Sequence, residues 1–333
     1  DWKGGPDGDE GLNIIRVRTR RTMDKKGFVM NLLSFYFSCL SKVRNINVDV
    51  VHSHDMDTLP IGYMISKIKG VPLVYDAHEH YAKMVHQDVP EPIPKFLDKV
   101  ESILVRGADK VVAANTSIAR YLSEWTKEPP IVVMNCTDVD IELPERPRRE
   151  KEVVLFYGGS LEPSRYIEEI ISQIPEVEGV KFRIAGTGSL EKKIIEAARS
   201  EKKIEYLGHL ERSRLFSEIA FSDGVISLLD PSNENNRIGT PNRMFEAMAI
   251  GTPVIVSEGT VSGEIVKEEE CGIVVRWEND SLAKIVAALR DRGAAEAWGR
   301  NGRRAVEYKY NWTTMKARLT SLYSSLEQIN PSP

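Results

Sequence analysis

Short apolar runs rich in Val and Ile alternate with stretches of helical periodicity along almost the whole chain, and this alternation constrains the fold most. The first half offers candidate strands at Ile14–Val17, Val48–His52, Leu73–Tyr75, Lys110–Ala113 and Ile131–Met134. The second half offers Val153–Tyr157, Lys181–Ala185, Ile204–Leu207, Gly224–Ser227, Val254–Val256 and Gly272–Val275. Strands that are apolar throughout must be covered on both faces, and parallel neighbours need a crossover long enough to hold a helix. The pattern therefore predicts α/β architecture with parallel sheets clothed by helices. A chain of 333 residues has room for two such sheets, hence two Rossmann-like domains.

The boundary is expected at Glu142–Glu152, a charged, proline-containing run without apolar periodicity. This gives a first domain over 1–143 and a second over 152–311. Apolar residues at helical spacing (Trp312, Met315, Leu319, Leu322, Leu326) predict a last helix near 312–330. The net charge of -4 argues against general nucleic-acid binding. Cys39, Cys136 and Cys271 fit neither a disulfide framework nor a zinc spacing, which suggests a reducing compartment. No apolar run is long enough to span a bilayer.

The segment Asn235–Ser257, NNRIGTPNRMFEAMAIGTPVIVS, carries the most specific chemistry. A loop with Gly239 and Pro241 leads into a short helix bearing Glu246, and Gly251-Thr252-Pro253 ends that helix before an apolar strand. A free helix N-terminus suits an anion such as a diphosphate. One turn on, a carboxylate can accept hydrogen bonds from sugar hydroxyls.

The run Pro241-Asn242-Arg243-Met244-Phe245-Glu246-Ala247-Met248-Ala249-Ile250-Gly251-Thr252-Pro253-Val254-Ile255 closely resembles the donor-binding element of retaining glycosyltransferases of the GT-B fold, family four. The resemblance implies two Rossmann-like domains facing across a cleft, with the last helix crossing back onto the first domain. It implies that Glu246 binds the donor ribose and that Gly239, Thr240, Pro241, Asn242 and Arg243 line the donor site. Many relatives carry a further Glu eight positions before Glu246. Ile238 stands there in this chain, which leaves the donor sugar open.

Tyr157-Gly158-Gly159-Ser160-Leu161-Glu162-Pro163-Ser164-Arg165 follows the first strand of the second half. Glycines in such a turn let the backbone approach a ligand. The segment resembles the family's loop that meets the donor phosphates, and Arg165 takes the role of the basic residue there. Ser160 replaces a second Arg found in many relatives. The turn Ala185-Gly186-Thr187-Gly188-Ser189 resembles the segment near the donor base, although simple turn chemistry accounts for its glycines equally well. The polar loop Ser232–Arg237 is placed to reach the transferred sugar.

In the first half, Val51-His52-Ser53-His54-Asp55-Met56-Asp57 ends a strand. Two His and two Asp in so short a run raise metal chemistry. A second cluster with ligand spacing is lacking, and a similar strand end occurs in the metal-independent family, so the expectation is a polar loop at the cleft and no metal. Tyr75-Asp76-Ala77-His78-Glu79-His80 resembles the segment whose His lies near the transferred sugar, and that role passes to His78. Asn135 matches a turn expected at the interdomain hinge.

Residues 28–40, FVMNLLSFYFSCL, are apolar on nearly every side and follow the basic stretch Arg16–Lys26. They read as a buried helix or, alternatively, as peripheral membrane contact through cations and apolar side chains. The chain opens at Asp1-Trp2-Lys3-Gly4-Gly5, which resembles a loop that in relatives follows a strand, helix and strand. The expectation is that this opening unit is missing here.

The resemblance implies a cytoplasmic enzyme without a cofactor. It would move a sugar from a nucleotide-diphosphate sugar to a hydroxyl of a glycan, lipid-linked or small-molecule acceptor, retaining anomeric configuration. His78, Arg165 and Glu246 are the candidate catalytic residues. Two alternatives use the same donor domain: a GT-B-fold sugar-nucleotide epimerase, and a non-catalytic sugar-nucleotide-binding subunit.

Overall fold

The computed structural model describes residues 14–17, 25–85, 89–90, 92–138 and 152–329. The first half contains α1 (Lys25–Val43), β1 (Val51–His54), α2 (Asp55–Lys69), β2 (Leu73–Ala77), α3 (Tyr81–Val85), α4 (Pro92–Val105), β3 (Lys110–Ala113), α5 (Thr116–Leu122) and β4 (Ile131–Val132). The second half contains β5 (Val153–Gly158), α6 (Ile167–Gln173), β6 (Val180–Ala185), α7 (Glu191–Ser200), β7 (Ile204–Tyr206), α8 (Arg212–Phe221), β8 (Gly224–Ile226) and α9 (Glu234–Ile238). It continues with α10 (Asn242–Ile250), β9 (Val254–Ser257), α11 (Val261–Glu268), β10 (Gly272–Val275), α12 (Ser281–Arg290), α13 (Arg292–Tyr308) and α14 (Trp312–Ile329).

Two parallel sheets result, in the orders β1-β2-β3-β4 and β10-β9-β8-β5-β6-β7. In the second sheet β5 is central and all six of its residues are buried. Alternate side chains enter opposite layers. Leu155 and Tyr157 pack with Ile226, Leu282 and Ile285, while Phe156 packs with Phe216, Phe245 and Met248. The chain leaves β5 in one direction to β6 and in the other to β8, so the sheet has its topological switch point between β5 and β8. In open α/β sheets, ligands bind in the crevice beyond the carboxyl ends of the strands at that point.

The first sheet has Leu73, Tyr75, Val111 and Ala113 in one layer with Met56 and Leu59. Val74 and Val112 point the other way and meet Leu322 and Leu326 of α14. The last helix thus closes the second face of the first sheet. Asn311 bridges Thr137, and Arg318 donates to the Val132 carbonyl at 2.9 Å.

Four sequence expectations need correction. Ile14–Val17 is not a strand; it has no ladder partner among the described residues, and Ile14 and Ile15 are exposed. The run expected at Val48–His52 forms β1 later, at Val51–His54. Val51 N–H bonds the Pro72 carbonyl, and Pro72 has no N–H with which to extend the ladder backward. The run Ile131–Met134 shortens to the two residues of β4. In α1, none of residues 30–43 is fully buried, so the buried-helix reading fails there. Met30, Leu33 and Phe37 are exposed; among the described residues α1 packs mainly on α2, beside the edge strand β1. All of the boundary Glu142–Glu152 except Glu152 lies outside the described residues. No described helix is long and apolar enough to cross a membrane.

Candidate active site

A cavity of about 230 Å³ opens at the switch point of the second sheet. Tyr157, Gly158, Gly159, Ser160 and Arg165 reach it from the β5–α6 loop, Ile226–Leu229 from the end of β8, and Pro241, Asn242 and Arg243 from the start of α10. Segments distant in sequence meet here because each follows a strand of one sheet or faces the strand ends.

The loop carrying Arg165 is held in an unusual backbone. Ser164 and Tyr166, on either side of it, both adopt left-handed conformations, with φ of 67° and 58°. Non-glycine residues in that region are strained by of order 1–3 kcal/mol and persist where their surroundings over-determine them. Here Asp230 N–H bonds the Ser164 carbonyl at 2.9 Å, Asn236 Nδ2 bonds Ser164 Oγ at 3.3 Å, and the Tyr166 ring packs on Trp277. The strain fixes where Arg165 leaves the backbone.

Arg243 Nε donates to the Gly158 carbonyl at 2.8 Å, tying α10 to the end of β5. Its other guanidinium face donates to Glu246, one turn along the helix. Burial raises the Glu246 carboxyl above its ordinary range, against the lowering influence of Arg243 and Arg212. Burial likewise lowers the Arg243 guanidinium, against the raising influence of Glu246. The pair presents a cation toward the cavity with a carboxylate behind it. The amino end of α10 adds backbone N–H groups, since Pro241 precedes the helix without a side-chain cap.

The remaining glycines have packing roles. Gly186 has φ of 136°, and a Cβ there would stand 1.8 Å from the Gly159 carbonyl oxygen. A Cβ on Gly188 would stand 2.4 Å from that of Leu161. The two glycines press the β6–α7 turn onto the β5–α6 loop, so they shape the cavity from beneath without lining it. Gly239 ends α9, packs on Leu229 and accepts a hydrogen bond from Ser262 at 2.7 Å. Thr240 follows it and also lies outside the lining.

Across the cleft, β1 and β2 bring His52, His54, Asp76 and His78 together. Asp76 Oδ2 lies 3.3 Å from His52 Nε2, 3.3 Å from His54 Nδ1 and 3.6 Å from His78 Nε2. Burial alone would raise the Asp76 carboxyl. The His52 hydrogen bond and the nearby imidazoles His78 and His54 bring it below its ordinary value instead. Burial lowers the His54 imidazole, partly offset by Asp76. The backbone N–H of His78 donates to Asp55 Oδ1 at 2.9 Å, and Asp55 has φ of 59°.

α9 joins the two sides, a link that the sequence did not disclose. Asn235 reaches Glu79 at 3.5 Å, Glu234 pairs with Lys83 at 3.4 Å, and Asn115 Nδ2 donates to the Ile238 carbonyl at 2.9 Å. Ile238, at the position where the resemblance leads one to expect a second carboxylate, therefore serves domain contact and packs with the first domain's core. The legible signal for Asn115 was its place between a strand and a helix, where it caps α5 by accepting from Ile118 N–H. The loop Ser232–Arg237 expected to meet the sugar is mostly this helix, capped by Asn233.

Residues 2–141 match the family model described as Glycosyltransferase Family 4, and residues 151–291 match that described as Glycosyl transferases group 1. Together they span more than four-fifths of the chain. The chain is 26% identical to a D-inositol 3-phosphate glycosyltransferase of Corynebacterium efficiens, over 84% of this chain and 72% of the relative. Its fold is similar to that of sucrose-phosphate synthase from Thermosynechococcus elongatus, with a TM-score of 0.75 and 17% identity, over 93% of this chain and 81% of the other. It is also similar to Anabaena HepE, solved in complex with UDP-glucose, with a TM-score of 0.66 and 18% identity, over 88% and 82% of the two chains. These solved folds are GT-B glycosyltransferases, as is the fold described above.

Proposed function

This chain belongs to the group 1 glycosyltransferases of family four, and on that premise we propose that it moves a sugar from a nucleotide-diphosphate sugar to an acceptor hydroxyl with retention of anomeric configuration. The observation that carries the reading is the cavity at the switch point, where Arg165, Arg243 and the amino end of α10 converge. Breaking the glycosyl–phosphate bond develops positive charge at the anomeric carbon and negative charge on the departing diphosphate. Two guanidinium groups and fixed backbone dipoles suit that anion and need little reorganisation.

In this reading the diphosphate lies against Arg165 and Arg243, the Gly158–Ser160 turn lets it approach the backbone, and Glu246 accepts from the ribose hydroxyls. Gly186 and Gly188 support the loop beneath the nucleotide, while Gly239 and Thr240 set the approach to α10. The sugar projects toward the first domain, where His78 supplies a hydrogen bond. The acceptor is a glycan, a lipid-linked molecule or a small polyol entering from the first domain's side, and no cofactor takes part. Domain closure across α9 would exclude water and strengthen these electrostatic contacts.

The test is a screen of nucleotide-sugars for thermal stabilisation, followed by transfer to inositol phosphates and short glycans. Dose-dependent stabilisation and an α-linked product from an α-linked donor are expected. Absence of stabilisation by every nucleotide-sugar would overturn the donor site. An epimerised donor without acceptor would replace transfer with epimerisation.

A further inference from the structure

We propose that the outer face of α1, α2 and α4 rests on an anionic lipid bilayer, with apolar side chains among the headgroups and lysines against the lipid phosphates. α2 packs between α1 and α4. α2 and α4 cover the face of the first sheet opposite α14, through Met56, Leu59 and Val105. Their outer sides, and that of α1, are open to solvent.

Helical spacing gathers the exposed apolar residues into one stripe on each helix. On α1 they are Met30, Leu33 and Phe37, at i, i+3 and i+7. On α2 they are Met64 and Ile68, at i and i+4, and on α4 they are Phe96 and Ile103, at i and i+7. Phe37, Ile68 and Phe96 are 72%, 67% and 65% exposed. Single exposed apolar residues are ordinary, but seven on three adjacent helices make a surface that calls for a partner.

The exposed charges on these stripes have one sign. Lys67 stands between Met64 and Ile68, and Lys95 and Lys99 flank Phe96, all three of them exposed. Residues 16–44, which include α1, hold eight Lys and Arg against one acid, Asp24, in a chain whose net charge is -4. The acids of α2 and α4 lie elsewhere. Glu101 is buried with Tyr75 and Tyr121, Asp98 accepts from Tyr121, and Asp55 and Asp57 sit at the cleft end of α2.

Cations interleaved with apolar side chains suit a bilayer surface. Rings and aliphatic chains enter the boundary between headgroups and acyl chains, while lysine stems carry their ammonium groups out to the phosphates. A second copy of the chain fits poorly, because a two-fold interface would set this face against itself, lysine against lysine. No described helix is long and apolar enough to cross a membrane, which leaves contact in the plane of the surface. Docking of this kind needs neither donor nor acceptor, so it stands or falls separately from sugar transfer.

The test is co-sedimentation of the full chain with vesicles of pure phosphatidylcholine and of phosphatidylcholine mixed with phosphatidylglycerol, at low and high salt. Sedimentation with the mixed vesicles alone is expected, weakened by salt as screening requires. Lys67→Glu with Lys99→Glu should lower the affinity at least about 25-fold, since each cation at an anionic surface contributes about fivefold. Phe37→Ser with Phe96→Ser should lower it about tenfold or more, through lost apolar burial. Lys192→Glu with Lys202→Glu makes the same change of net charge at exposed positions of the second domain and should leave binding unchanged. Melting temperatures of the variants check that each keeps its fold. Equal sedimentation with both lipid compositions, full binding by either first-domain variant, or equal loss in the second-domain variant would each overturn the docking face. A lipid-free dimer that Phe37→Ser with Phe96→Ser dissociates would overturn it too, and give the face to a second copy.

Discussion

The backbone N–H of His78 donates to the carboxylate of Asp55 at 2.9 Å, across the ends of two adjacent parallel strands. Asp55 begins α2 in a left-handed conformation, φ 59°, which Asp and Asn tolerate better than most residues. The strained turn and the hydrogen bond together fix where His78 projects. If His78 contacts the transferred sugar, Asp55→Ala should lower kcat about tenfold, the scale of one charge-assisted hydrogen bond, with nucleotide affinity unchanged. Asp55→Asn keeps the backbone conformation and an acceptor oxygen, so it should recover much of the rate. Equal kcat in Asp55→Ala and the unchanged chain would remove Asp55 as a positioning residue.

Arg165 is presented by a loop strained on both sides, between Ser164 and Tyr166. Such rigidity has value where charge develops during reaction, because the cation need not move to meet it. Arg165→Ala is expected to cost about 10²–10³ in kcat, as loss of a preorganised stabiliser of a leaving anion does. Steady-state kinetics with a saturating donor would measure this. A change confined to KM would mean that Arg165 holds ground state and transition state alike.

Glu246 is paired with Arg243. Ribose hydroxyls must therefore share the carboxylate with that guanidinium. Glu246→Ala is expected to weaken nucleoside-diphosphate binding by on the order of 1.5–3 kcal/mol, the range for hydrogen bonds to a charged group. Calorimetry with UDP, GDP and ADP checks this. Unchanged affinity for whichever nucleotide binds would leave Glu246 as no more than the counter-ion of Arg243.

Much of the fold was legible because parallel, doubly covered strands must be apolar throughout, and nearly every such run became a strand. Ile14–Val17 shows the limit: composition marks an apolar run but not whether a ladder partner exists. The segments Gly158–Arg165 and Pro241–Glu246, proposed above to hold the donor, were legible for a similar local reason, since each is a short run at the start of a helix beyond the end of a strand. Contacts assembled from distant segments were not legible. Asp76 gathers three histidines only because β1 and β2 pair in one register, and Tyr323 reaches His52 from a helix 271 residues away. The buried Glu101, which accepts from Tyr75 and Tyr121 at 2.5 and 3.0 Å, is likewise invisible before the fold is known. So is the packing duty of Gly186 and Gly188, whose turn the family resemblance set near the donor base.

His80 should make stability depend on pH. It is 6% exposed, its ring stands edge-on to Tyr121 with centroids 3.8 Å apart, and its Nδ1 has no hydrogen-bond partner among the described residues. Burial lowers its imidazole to about 4, with Lys83 adding to the effect and Asp98 and Glu234 opposing it. Above the unfolded value of about 6.5 both states are neutral and its contribution is complete. As pH falls from about 6.5 toward about 4, the unfolded chain takes up a proton that the folded one refuses, so stability is lost. The melting temperature should fall between pH 7.5 and 5, with a smaller fall in His80→Phe. Equal falls in the two proteins would assign the acid sensitivity to other groups.

Transfer should survive chelation. A metal that neutralises a diphosphate in a donor site is held by hard oxygen ligands, usually carboxylates. The residues lining the cavity include Arg165 and Arg243 but no Asp or Glu, and the nearby Glu246 carboxylate is paired with Arg243. Magnesium or manganese would find like charge where it needs an anion. EDTA is therefore expected to leave the transfer rate unchanged. Manganese added afterwards should give no gain. Loss of transfer in EDTA with recovery in manganese would mean that a carboxylate from elsewhere, such as Asp55 or Asp57, swings into the cleft when donor binds. It would also mean that the two guanidinium groups do not carry the leaving-group charge alone.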